Sequence, residues 1–352
     1  MEYIKGRGAQ INPANRFEKK ELVLEHFEGI DELPPLPGKT EIFEEHPKTI
    51  VNKTESPDLP FDYSLNPYQG CEHGCVYCYA RNVHQYWGYS AGIDFEQKLI
   101  AKPGAAQLLM KHFESKNYKP QSISLSGNTD CYQPLERKMK ITRQLLEVFL
   151  KYKHPVGIIT KNSLILRDLD ILKELASMNL VHVMISITTL KEELRLLMEP
   201  RTATSLNRLK VIGKLNQEGI PTGVMTAPII PGLNSEEIPD LIKAAADQGA
   251  RRAGYTMVRL NGAVKDIFHD WLYKNLPDGA DKIWNQIKSC HGGQVNDNRF
   301  GTRMRGEGKI ADAIRQLFHL SVQKYMAGRS FPDYDFNHFV VPGRSEQLSF
   351  NW

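Results

Sequence analysis

One feature constrains the fold of this chain more than any other. From residue 61 onward, short apolar runs rich in β-branched residues alternate with stretches of helical period over about 200 residues. The strand-like runs are residues 61–65, 122–126, 156–160, 182–188, 222–229 and 253–260. Helical periods separate them at 103–113, 141–151, 167–176, 205–217 and 235–248; in 141–151, Ile141, Leu145 and Phe149 fall on one stripe. Asn234 and Glu237 have the spacing of a capping box, and Gly249 reads as the stop of that helix. Short apolar strands joined by helices are the pattern of parallel strands buried on both faces. Six βα units predict an α/β fold, a partial (βα)6 TIM-type barrel over residues 61–260, with its chemistry in the loops that follow the strands.

The flanks read differently. Residues 1–60 hold seven of the 20 prolines, Pro34, Pro35 and Pro37 among them, and predict a wrapping N-terminal extension with one short helix near residues 19–26. Residues 261–352 predict a C-terminal helical layer with helices at 267–274, 282–289 and 309–326, interrupted by a Gly- and Arg-rich loop at 292–308. With 41% hydrophobic and 24% charged residues, the 352-residue chain has the composition of a globular protein with a real core, which excludes collagen-like and wholly disordered classes. No apolar run approaches the roughly 20 residues of a membrane span, and the N-terminus has no secretory apolar core, so a cytoplasmic location without membrane attachment is expected. The net charge of +4 combines an acidic head over residues 1–60 with a basic body, which suits an anionic substrate or partner.

Three of the five cysteines crowd into one loop, Cys71, Cys75 and Cys78, directly after the first predicted strand. The spacing is C-x3-C-x2-C, with Gly70 and Gly74 giving the loop freedom to curl. Three thiolates on such a loop can each hold one iron of a cubane cluster and leave the fourth iron open to a ligand. Other readings exist. A zinc site would need a fourth ligand, for which His73 stands close by. A dithiol could use Cys75 and Cys78. An electron-transfer cluster could recruit Cys131 or Cys290.

The loop and its surroundings resemble the radical S-adenosylmethionine (SAM) superfamily, and Tyr77 fits the aromatic residue before the last cysteine. Further stretches resemble the spore photoproduct lyase-like group, often labelled "DNA repair photolyase": Asn66-Pro67-Tyr68-Gln69-Gly70-Cys71, Thr129-Asp130 with Tyr132-Gln133-Pro134, Lys161-Asn162-Ser163 with Arg167-Asp168, and Glu199-Pro200-Arg201-Thr202. Gly6-Arg7-Gly8-Ala9 and Asn15-Arg16-Phe17-Glu18 resemble one branch of that group. The resemblance implies a 4Fe-4S cluster on Cys71, Cys75 and Cys78, whose open iron chelates SAM, and a 5′-deoxyadenosyl radical that abstracts hydrogen from a substrate, with DNA as one class to consider. It implies that Ser126, Gly127, Asn128, Thr129 and Asp130 receive the methionyl amino group and that Lys161 pairs with the methionyl carboxylate. Ser186 would lie near the carboxylate or ribose, and residues 227–232, Ile229 among them, beside the adenine. An electron donor such as flavodoxin or ferredoxin is implied as partner.

The chain departs from the lyase pattern at one place. Asn128 stands where the lyase carries its hydrogen-donor cysteine, and Cys131 follows two residues after Thr129. Cys131 is therefore either a displaced hydrogen donor or a buried thiol. Cys290 with His291 reads as a helix end, and Arg299, Arg303, Arg305 and Lys309 as either phosphate contacts or a solvated loop. Three function classes compete: a radical enzyme, an iron–sulfur electron carrier, and a zinc-stabilised nucleic-acid-binding module.

Overall fold

The computed structural model describes residues 4–17 and 39–343. The helix expected near residues 19–26 lies outside them. Six strands form the centre of the fold: β1 (Tyr63–Leu65), β2 (Ile123–Leu125), β3 (Val156–Thr160), β4 (Val181–Ser186), β5 (Thr222–Ile229) and β6 (Ala253–Met257). They pair in sequence order and all are parallel, so the partial barrel expected from the alternation is present. Between them run α1 (Ala105–Phe113), α2 (Ile141–Lys151), α3 (Leu169–Ser177), α4 (Ser205–Gln217) and α5 (Ile238–Asp247). The expected stripe on α2 is the face that goes inward: Ile141, Leu145 and Phe149 are all buried in the main core.

Two local signals were not realised as read. Asn234 and Glu237 do not form a capping box. The Asn234 amide instead receives Ile230 N–H at 2.7 Å and donates to the Thr188 carbonyl at 2.8 Å. The Glu237 carboxylate accepts from the Thr189 hydroxyl at 2.7 Å and Leu190 N–H at 2.8 Å. Both side chains thus tie the loop after β4 to the loop after β5. Likewise, the helix expected from residue 167 is preceded by a 3-10 turn, Ser163–Asp168, capped by the Asn162 side chain. Gly249 does end α5, with φ +89°.

The N-terminal extension contributes more sheet than its proline content suggested. Val51–Lys53 joins the edge of the barrel antiparallel to β1, and Glu41–Glu44 pairs with Lys98–Ala101 in a second, three-stranded sheet completed by Tyr68–Gln69. These strands are two to four residues long, too short for alternation to register. The C-terminal layer is helical as expected, with α6 (Val264–Asn275), α7 (Ala280–Ser289) and α8 (Gly308–Met326). Phe268, Trp271, Ile283 and Ile287 form a second core that also takes in Val76 of the cysteine loop and Met198. Beyond α8 the chain crosses the opposite end of the barrel. Tyr334 stacks on His182 at 3.9 Å and donates its hydroxyl to the Val156 carbonyl, both at strand beginnings. That end is closed by aromatic packing, which leaves the ends of the strands as the place where loops converge. Among the described residues no helix is long and apolar enough to cross a membrane.

Candidate active site

The three cysteines lie at the open end of the barrel. Gly70 (φ +76°) and Gly74 (φ +70°) adopt the left-handed backbone that lets the loop close on itself. Cys71 and Cys75 are each 7% exposed, and all three thiols are free of disulfides. Backbone bonds hold the loop from several sides. Cys71 N–H donates to the Phe95 carbonyl at 2.9 Å, Val76 N–H to Met198 at 3.1 Å, and the Arg81 Nε–H to the Cys75 carbonyl at 2.9 Å. Burial raises all three thiols, Cys71 to about 12, so without metal they stand protonated. A bound iron would displace those protons, because a coordinating thiol is deprotonated by the metal's own charge. Among the described residues no three His, Cys, Asp or Glu side chains converge on one point, as a tetrahedral zinc ion would require. Thiolates on three separate irons need no such convergence.

His73 does not stand free as a fourth ligand. It is buried, with Nδ1 3.4 Å from the Asp130 carboxylate and Nε2 3.2 Å from the Asn162 amide. Burial lowers its pKa more than Asp130 raises it, so the ring is neutral and serves as a hydrogen-bonded strut.

Tyr77 turns inward and joins a buried network built on Glu199. The Tyr77 hydroxyl donates to the Glu199 carboxylate, which also accepts from Thr188 at 2.5 Å and pairs with Arg208 at 2.5 Å. Burial alone would raise this carboxyl. The Arg208 guanidinium and the Lys161 ammonium outweigh it and hold the group well below the usual carboxylate range. Lys161 Nζ lies 3.8 Å from Glu199 and 5.9 Å from the centre of the Tyr77 ring. One carboxylate thus faces two cations, and the trio keeps a net positive charge beside the cysteine loop.

The loop after β2 reads residue by residue as follows. Ser126 has φ +88° and accepts Cys131 N–H on its hydroxyl at 2.9 Å. The Gly127 carbonyl accepts the Tyr79 hydroxyl. Asn128 N–H donates to the Asn66 side chain at 2.9 Å. Thr129 donates to the Gly70 carbonyl at 2.8 Å. The Asp130 carboxylate is engaged on both oxygens, by Thr160 at 2.7 Å and Lys161 N–H at 2.8 Å. It acts as a pin between the loops after β2 and β3 and the His73 ring. Cys131 is fully buried in the main core, whereas Cys71 and Cys75 belong to other clusters. The Ser126–Cys131 turn carries its thiol inward, into that core.

Ser186 ends β4, buried, with its carbonyl accepting from Arg208 at 2.9 Å. Ile229 ends β5, buried, with its carbonyl accepting Val258 N–H at 2.9 Å. Cys290 closes α7 and packs in the main core, as a helix end would. Half of the basic stretch is neutralised: Arg299 pairs with Asp297 and Glu307, and Arg303 with Asp58.

The N-terminal segment supplies a part that the sequence pattern did not announce. Glu96, fully buried, pairs with Arg81 at 2.5 Å and accepts the N–H groups of Gly8 at 3.1 Å and Ala9 at 2.8 Å. The Arg7 guanidinium donates to the Glu96 carbonyl at 2.7 Å. Residues 7–9 are thereby strapped across the cysteine loop at Gly74. The Gly6-Arg7-Gly8-Ala9 motif was visible as a motif; only the fold shows what it holds.

Residues 65–245 match the model of the radical SAM superfamily. An uncharacterised protein of Mycobacterium tuberculosis is 30% identical over 234 residues, covering 66% of this chain and 69% of the relative. One of Methanocaldococcus jannaschii is 30% identical over 250 residues, covering 71% and 89%. Among solved structures, spore photoproduct lyase superposes with a TM-score of 0.59 at 14% identity, covering 84% of this chain and 86% of the lyase chain, a likeness of fold.

Proposed function

Because this chain belongs to the radical SAM superfamily and is one of its enzymes, we propose that Cys71, Cys75 and Cys78 carry a 4Fe-4S cluster that binds SAM and that the substrate is an anion. The observation that carries this reading is the buried three-thiol loop at the open end of a six-stranded parallel barrel, with the Lys161 ammonium beside it. Cys71, Cys75 and Cys78 would hold the cluster, which when bound would supply the electron for reductive cleavage of SAM, the chemistry by which the superfamily abstracts hydrogen.

The chain's own residues bind, orient and shield. Lys161 pairs with the methionyl carboxylate; its ammonium is free to do so because Glu199 spends its charge chiefly on Arg208 at 2.5 Å and meets Lys161 only at 3.8 Å. Tyr77 is locked by Glu199 and Thr188, which keeps the loop between Cys75 and Cys78 in one conformation. The loop from Ser126 to Asp130 borders the amino group, pinned by Asn66, Gly70 and Thr160 so that it does not have to reorganise on binding. Residues 227–232 border the adenine, with Ile229 and Ile230 buried beneath them. The basic body of the chain favours an anionic substrate.

Anaerobic reconstitution with iron and sulfide, followed by dithionite and SAM, tests the reading. Dithionite stands in for the flavodoxin or ferredoxin donor. The expected result is 5′-deoxyadenosine in the wild-type protein and its loss in Cys75→Ala. Equal amounts in both, or none in either, refute it.

A further inference from the structure

Residues 258–260 follow directly on β6. Val258 and Leu260 are each 1% exposed and sit in the second core. Their backbones are fixed, Val258 N–H to the Ile229 carbonyl at 2.9 Å and Leu260 N–H to the Val295 carbonyl at 3.1 Å. Arg259 between them is only partly buried. The residues that follow pack on the 3-10 turn Tyr79–Trp87: the Asn82 amide donates to the Asn261 carbonyl at 2.8 Å and accepts Ala263 N–H at 3.0 Å. Tyr79 directly follows the ligand Cys78, is 54% exposed, and reaches the loop after β2 through the Gly127 carbonyl. Arg259 therefore follows the end of β6, in the stretch that packs against the turn after Cys78.

The guanidinium is short of partners. Its Nε–H is buried and has no acceptor among the described residues. The carboxylates nearby are occupied. Asp58 receives Gly301 N–H at 2.7 Å and pairs with Arg303 at 2.5 Å. Asp297 pairs with Arg299 at 2.9 Å and accepts from Thr302 at 2.7 Å. Burial, and then the Arg303 charge, push the Arg259 guanidinium below its ordinary value, yet an arginine stays charged. A buried donor without an acceptor costs about 1–3 kcal/mol. A planar guanidinium matches two oxygens of a phosphate or carboxylate through its outer N–H groups.

We propose that Arg259 is the substrate's oxyanion anchor: it binds a phosphate or carboxylate group of the substrate and holds the molecule over the cysteine loop. This rests on the radical-enzyme reading for what happens to the substrate, not for the binding itself. Arg299 and Arg303, which the sequence singled out, are the supports that occupy the acidic neighbours and leave Arg259 available.

The test is calorimetric titration of the full, reconstituted chain with inorganic phosphate and with succinate at constant ionic strength, for wild type, Arg259→Gln and Arg259→Lys. Wild type is expected to bind at least one anion, and Arg259→Gln to bind it at least about tenfold more weakly, as loss of a charge-assisted pair predicts. Arg259→Lys, which keeps the charge without the fork, falls between, and the affinity for SAM is the same in all three. Binding of phosphate alone assigns a phosphate ester; binding of succinate alone assigns a carboxylate. Equal anion affinity in wild type and Arg259→Gln, no binding by wild type, or a parallel loss of SAM affinity overturns the proposal. If Arg259→Gln does not fold, Arg259→Lys decides: affinity equal to wild type overturns it. Wild-type protein that binds the anion but forms no 5′-deoxyadenosine refutes the radical-enzyme reading and leaves the anion site standing.

Discussion

Gly8→Ala puts the strap over the cysteine loop to a direct test. A Cβ at residue 8 would come within 1.7 Å of the Gly74 carbonyl oxygen and 2.9 Å of its carbon. Both are backbone atoms of the loop between Cys71 and Cys75, so no side chain can swing aside. Ordinary contact needs more than 3 Å, and the strap must retreat by over 1 Å. That movement breaks the Gly8 N–H bond to Glu96, already 3.1 Å long, and strains the neighbouring Ala9 bond of 2.8 Å. Hydrogen bonds to a charged group contribute about 1.5–3 kcal/mol each. Losing one or both costs about 2–5 kcal/mol, before any displacement of Gly74. The expected outcome is a melting midpoint lower by about 3–7 °C together with reduced iron per chain after reconstitution. Gly104→Ala is the control, since a Cβ there meets nothing within 4 Å, and its effect should stay within about 0.5 kcal/mol. A Gly8→Ala protein with wild-type iron content and melting midpoint would show that the strap does not support the loop.

Two further outcomes follow from the buried groups. Glu199→Gln leaves the Arg208 guanidinium, 1% exposed, without its counter-charge, a loss of about 3–5 kcal/mol near neutral pH. The folded carboxyl lies below its unfolded value of about 4.3, so its contribution is whole above that pH and is lost as pH falls toward the folded value. The stability gap between wild type and variant, from urea unfolding, should therefore be constant from pH 8 to 5 and narrow below about pH 4; a gap unchanged at pH 3 contradicts this. Cys131→Ala should cost about 1–2 kcal/mol through lost core contacts and leave iron content and substrate turnover intact; lost turnover with full iron content would restore Cys131 as a hydrogen donor.

The barrel was legible because its signal is local and repeated. Residues 156–160 and 222–229 were found with the bounds of β3 and β5, since central strands covered on both faces read as unbroken apolar runs. The edge strands Glu41–Glu44 and Val51–Lys53 carried no such signal, being short and largely exposed. At the site, the cysteine spacing was readable because all three ligands lie within one loop. Glu237 was misread as a cap because a carboxylate at that spacing is ambiguous until the Thr189 and Leu190 donors are brought to it from another loop. The same holds for Arg303: its charge was visible and its neutralisation by Asp58, 245 residues earlier in the chain, was not.

What the sequence by itself determined is the parallel architecture, the three-thiol loop and the family they belong to, because each is written in contiguous residues whose period or spacing survives without a partner. What only the tertiary structure decided is the use of isolated charges. Glu96, Glu199 and Asp130 became struts, and Arg259 was left with an open donor, according to which opposite charge or carbonyl the fold carried to within hydrogen-bonding distance. A carboxylate or guanidinium has one charge and no local period, so its role is set by what packs against it, and that is a property of the folded chain alone.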